Sequence, residues 1–191
     1  MKKSIPLMTL LLCCVSFSAQ AADNYLHTDK QLPFDNTKYS LVWSSHPRDF
    51  QYLQEYFPKG QTPEAFTDML SVWLFVGDFP ADQWIQNMVN LFTERQKTDK
   101  VCNFQTYSND GEYMLDYLLS ESADGKVNSV EFNVYRCKNI EVEGKSALLI
   151  CFYSGQADGE SITPFLKGLK ERRPQLIEAM IKFELPKVSL K

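Results

Sequence analysis

Apolar and polar residues alternate with period two through Tyr39–Trp43 and again through Phe50–Phe57, the pattern of strands with one face turned to a core. Pro58, Lys59 and Gly60 end the second run. Thr62, Pro63 and Glu64 then read as a helix start: a capping hydroxyl, a proline in the first turn, and an acid near the positive helix end. Phe66, Met69, Leu70 and Trp73 fall on one face of that expected helix, which Gly77 and Asp78 break. Pro80, Ala81 and Asp82 open a second helix. Its Trp84, Ile85, Met88, Leu91 and Phe92 form an apolar stripe, and Arg95, Lys97 and Lys100 suit its C-terminus.

Four strand-like runs follow: Cys102–Tyr107, Tyr113–Leu119, Val127–Cys137 and Ala147–Tyr153. Turn signals separate them at Ser108–Gly111, Ala123–Gly125 and Glu143-Gly144, and Asp-Gly pairs reach the positive φ of tight hairpins, so an antiparallel meander is expected. After Gly155–Gly159, Thr163 and Pro164 start a last helix that Pro174 restarts, with Leu176, Ile177, Met180 and Phe183 on one face. The order ββ-αα-ββββ-α predicts an α+β fold: an antiparallel sheet of five to six strands with helices packed on it. The polar stretch 22–38 reads as an irregular N-terminal arm, and 39–191 as a single α+β domain.

The first 21 residues change the picture of where the chain works. Lys2 and Lys3 precede an apolar stretch from Leu7 to Val15, and Ala19 and Ala21 supply the small residues that signal peptidase accepts. The apolar run is shorter than the ~20 residues a membrane span needs. Cleavage after Ala21 is expected, giving an exported, soluble chain, periplasmic or secreted. Loss of the two lysines takes the net charge from −4 to −6, which argues against nucleic acid and anionic membrane as partners. Of five cysteines, Cys102, Cys137 and Cys151 remain, in a compartment that permits disulfides. Cys151 sits in an apolar run that reads as a buried strand, while Cys102 and Cys137 lie at the ends of strand-like runs. A Cys102–Cys137 bridge with Cys151 free is the expectation.

Chemistry is thin. The two histidines, His27 and His46, stand in the arm and in a turn, with no H-E-x-x-H spacing, so no metal and no cofactor is expected. Tyr153, Ser154 and Gly155 lack the first glycine of a nucleophile elbow. Cys102, Cys137 and Cys151 would each need His46 as a base. The carboxylate pairs Glu141/Glu143, Asp158/Glu160 and Asp110/Glu112 fall in turns, where solvation accounts for them. Aromatics, at 13%, are the notable excess. Tyr52, Tyr56, Tyr113, Tyr117 and Tyr135 lie in strands and are the candidate binding surface, because tyrosine offers large contact area at low entropy cost.

The stretches Glu55–Thr62 and Phe66–Met69, followed by a Cys after the helical region and by Tyr135, Arg136, Cys137, Lys138 and Asn139, resemble small secreted bacterial proteins of unassigned function. The element order is similar to the PsbP-like α/β/α sandwich. The resemblance covers about residues 50–140 and does not extend over 155–191. It implies fold, secretion and the Cys102–Cys137 pairing, and carries no activity and no catalytic residue.

The resulting expectation is a non-enzymatic secreted or periplasmic protein-binding domain, an envelope accessory factor or an immunity-type inhibitor, whose partner presents a basic surface. One alternative is a small-ligand or lipid-binding protein with an aromatic pocket between sheet and helices. The other is a hydrolase using Ser154 or Cys151 with His46.

Overall fold

Two-residue turns with positive φ at both positions punctuate the chain at Asp35-Asn36, Asp110-Gly111, Asp124-Gly125 and Glu143-Gly144. This is the hairpin geometry whose twist matches that of the flanking strands. The computed structural model describes residues 22–190, and the expected signal segment 1–21 lies outside them. In chain order the elements are β1 (Gln31–Phe34), β2 (Thr37–Arg48), β3 (Gln51–Pro58), β4 (Asp68–Val76), α1 (Ala81–Arg95), β5 (Asn103–Asn109), β6 (Glu112–Ala123), β7 (Lys126–Val142), β8 (Lys145–Asp158) and α2 (Ile162–Lys182). A 3-10 turn, Gly159–Ser161, leads into α2.

All eight strands form one antiparallel sheet in the order β1-β2-β3-β4-β8-β7-β6-β5. It consists of two four-stranded meanders joined along β4 and β8, where Asp68 pairs with Gly155 and Val76 with Ala147. The helices lie on opposite faces. Helix α1 sets Ala81, Ile85 and Phe92 against Leu115, Tyr117, Tyr135 and Ile150, while α2 sets Leu169, Leu176 and Met180 against Phe132, Val134 and Tyr153.

This corrects the expected fold class. Over the described residues the molecule is a largely β fold, with eight strands and two helices where five to six strands in the order ββ-αα-ββββ-α were expected. The helix expected after Thr62 is strand β4. Its run Met69–Val76 is apolar because β3 and β8 flank it and both faces of the sheet are covered there, so the spacing of Met69, Leu70 and Trp73 carries no helical meaning. The arm expected over 22–38 contains β1, whose Leu32 and Phe34 enter the core in alternation with outward Gln31 and Pro33.

Two arginines fasten α2. Arg173 donates from Nε to the buried Asp116 of β6 at 2.6 Å and from Nη1 to Asn103 at 2.7 Å. Arg136 of β7 donates from Nη1 to the carbonyls of Met180, Ile181 and Phe183 at 2.9–3.0 Å, satisfying acceptors that a helix C-terminus leaves open. Over the first meander the same face is covered by the ends of the described chain. Leu26 N donates to Gln54 Oε1, and Ser189 N donates to Leu26 O.

Candidate functional site

A cleft of about 400 Å³ opens between α2 and the sheet where β4, β7 and β8 meet. Its walls are apolar: Phe132 and Tyr153 from the sheet, Phe165, Leu169 and Leu176 from the helix. Asp68, Thr67, Gln156 and Arg172 gather at its polar end. The volume lies in the range of small-molecule sites, as does the proportion of apolar wall to a few placed polar groups.

Each polar group is positioned from several elements. Gln61 holds the entry to β4, its Oε1 accepting from the backbone N–H of Thr67 at 2.7 Å and of Asp68 at 3.1 Å. Gln156 of β8 donates to the carbonyl of Phe66 at 3.0 Å. So fixed, Asp68 accepts from the Tyr153 hydroxyl at 2.5 Å and from the Thr67 hydroxyl at 2.8 Å. The Tyr153 ring stacks on Phe34, centroids 5.5 Å apart. Burial, reinforced by the Asp68 carboxylate, pushes the phenols of Tyr153 and Tyr39 far above the ordinary range, so both remain neutral donors. Arg172 donates to Asp35, in the β1–β2 turn, at 3.1 Å.

Two glycines bear on the cleft, Gly168 by lining it and Gly155 by making way for the Tyr153 ring. Gly168 lies inside α2, where glycine costs about 1 kcal/mol relative to alanine. A Cβ there would meet no atom within 4 Å, so packing does not demand the glycine. Gly155 lies in β8, and a Cβ on it would stand 2.8 Å from the Tyr153 hydroxyl.

The residues singled out from the sequence are dispersed. Tyr117 and Tyr135 are buried under α1, stacked at 5.4 Å with their hydroxyls 3.2 Å apart. Tyr56 is buried on the opposite face, bonded to Thr28 and Gln54. Tyr52 stacks on His46 at 4.0 Å, and Tyr113 is half-buried on the α1 face. With three of the five buried and the set divided between faces, they form no continuous tyrosine surface.

Cys102, Cys137 and Cys151 are buried free thiols, where a Cys102–Cys137 bridge was expected. Register is the reason. Cys137 pairs with Tyr113 of β6, whereas Cys102 precedes Asn103, which pairs with Leu118. The two cysteines are therefore about 20 Å apart along the strands and two strands apart across them, far beyond disulfide reach. Burial pushes the Cys137 thiol up to about 12 and raises that of Cys151 as well.

The hydrolase arrangement is not assembled either. Ser154 is buried and bonded to Glu131, and His46 on β2 stands three strands from β8, roughly 14 Å away. His27 and His46 share a separate surface cleft with Asp23, Tyr25 and Tyr52. Among the described residues no group of three or more His, Cys, Asp or Glu is arranged to hold a metal ion. Nor is any helix among them long and apolar enough to cross a membrane.

Sequence reasoning missed Asp68, Arg172, Gly155 and Gly168. The helix-interior Gly168 is the one signal that was available, since a glycine there asks for a reason beyond propensity.

Comparison with curated proteins gives no match, and comparison with solved structures gives none. A protein-family model matches residues 26–185, from the buried Leu26 to the tail beyond α2. With most of its length matched, this chain belongs to that family.

Proposed function

We propose that this protein is an exported small-molecule-binding protein whose ligand lies in the cleft between α2 and the β4–β8 region of the sheet. The observation that carries the reading is Gly168. It sits in a helix interior, lines the cleft, and has open space where a side chain would project. A longer residue there would favour the helix and occupy the cleft, so the glycine trades stability for room. Titration with the neutral fluorophore N-phenyl-1-naphthylamine tests this. The wild-type protein should enhance its emission saturably, and Gly168→Leu should abolish the effect with the fold intact by circular dichroism. Equal binding by the two proteins, or none by the wild type, would refute the reading.

A second reading, docking of another protein, is favoured by β5. This edge strand, Asn103–Asn109, is mostly exposed and has neither charge nor proline, whereas β1 at the other edge carries Pro33. Natural edges usually carry such blocking residues, and an edge without them is open to strand addition. Chemical cross-linking from a residue placed at Thr106 tests it: capture of a defined partner in the native envelope fraction supports it, and an uncross-linked monomer counts against it.

A further inference from the structure

Resting on the reading that the cleft takes a small molecule, we propose that its occupant is an amphipathic cation, a protonated amine on an apolar body, with the amine at Asp68.

The charges around the cleft carry this inference. Among the described residues Arg172 is the one cationic side chain lining it, and its guanidinium is already paired with Asp35. The N-terminal end of the 3-10 turn that leads into α2 is the other positive feature, and a capping box closes that turn. The Asp158 side chain accepts from the Ser161 backbone, and the Ser161 hydroxyl accepts from the Asp158 N–H at 3.1 Å. Asp68 is different. It accepts from two hydroxyls, Tyr153 and Thr67, and has no cationic partner within ion-pair distance among the described residues.

Hydroxyl donors orient a carboxylate without neutralising it, and each oxygen keeps acceptor capacity. The neighbouring phenols add no positive charge. An ammonium would give Asp68 a charge-assisted partner beside the aromatic faces of Phe132, Phe165 and Tyr153, which attract cations. A carboxylate at the same end would meet Asp68 at like charge, and the one cation there, Arg172, is already held by Asp35. The apolar walls at Phe165, Leu169 and Leu176 suit a hydrocarbon or ring body.

Octylammonium, octanol and octanoate share one apolar body and differ at the head, so calorimetric titration of the three at pH 7 separates the head from the cleft. Octylammonium should bind at least about tenfold more tightly than octanol, as expected for a hydrogen bond to a partly buried charge, and octanoate should bind most weakly. Asp68→Asn should bring octylammonium to the level of octanol, while Gly168→Leu should weaken all three. If octanol matches octylammonium in the wild type, or octanoate exceeds it, while Gly168→Leu still blocks binding, the amine assignment is wrong and the cleft reading stands. If none of the three binds the wild type, both fall. The wild-type series decides the matter even if Asp68→Asn proves unstable.

Discussion

The ring of Tyr153 lies over Gly155, two residues along the same strand, so that a Cβ on Gly155 would stand 2.8 Å from the tyrosine hydroxyl. The hydroxyl is not free to swing away, because Asp68 accepts from it and Phe34 stacks on its ring. Gly155→Ala should therefore displace Tyr153 and break the bond to Asp68. Overpacking of this kind costs about 1–3 kcal/mol. Tyr153→Phe, which removes only the hydroxyl, should cost about 1 kcal/mol. Urea denaturation of both variants checks the order.

Gly168→Ala should act in the opposite direction on stability. A Cβ at this position meets nothing within 4 Å, and alanine is favoured over glycine inside a helix by about 1 kcal/mol. The melting temperature should rise while affinity for N-phenyl-1-naphthylamine falls. A rise in both would remove the argument that the glycine serves the cleft.

Arg173 and Asp116 form an ion pair in which Asp116 is fully buried and Arg173 lies over the Phe132 ring, 5.7 Å from its centre. Arg173→Met leaves the carboxylate without its cation. A buried charge so exposed costs about 3–5 kcal/mol, and the partial exposure of Arg173 places this case near the lower end. In a double-mutant cycle Asp116→Asn should restore part of the loss, because a neutral amide is less costly to bury than an unpaired carboxylate.

Glu55 on β3 pairs across the sheet with Ser71 of β4, and burial pushes its carboxyl from an ordinary 4.5 up to about 7. The folded chain holds this proton when the unfolded chain has lost it. The group leaves stability untouched below about pH 4.5, and its penalty grows as the pH rises to about 7. Glu55→Gln should be indistinguishable from wild type near pH 4.5. At pH 8 it should be more stable by about 1–2 kcal/mol, allowing for solvent screening of a half-buried group. Equal stability at both pH values would contradict the assignment.

The three buried thiols have an equally direct test. Ellman's reagent should leave Cys102, Cys137 and Cys151 unmodified in the folded protein and react with all three once urea unfolds it. A reducing agent should leave the melting temperature unchanged. A mass short by two hydrogens in non-reducing conditions would contradict the register of β5, β6 and β7.

Much of the second meander was legible in the chain, because Asp-Gly turns and period-two alternation are local signals that act within a few residues. Helix α1 was legible for the same reason: Pro80 and the stripe from Trp84 to Phe92 lie within its own length. Strand β4 was not, since burial on both faces removes alternation and leaves an apolar run that fits either structure. Strand β1 is four residues long and contains a proline, too little for a pattern. The cleft was hidden for a different reason. It brings Asp68 from the start of β4 together with Tyr153 and Arg172 from the far end of the chain, and only the pairing of β4 with β8 makes them neighbours.

That pairing also dictates an order of events as the chain is made. The first meander emerges with one side of β4 matched to β3 and the other side open, and its rightful neighbour is completed roughly eighty residues later. At ribosomal speeds of 5–20 residues per second the wait is on the order of 4–16 s. Throughout it the nascent chain presents Met69–Val76, an apolar strand with an unmet ladder, to any other strand nearby. The closing strand is thus also the shield of the first half. Any product that stops before Lys145 is left with a sticky margin and is destined for aggregates or for a holding chaperone.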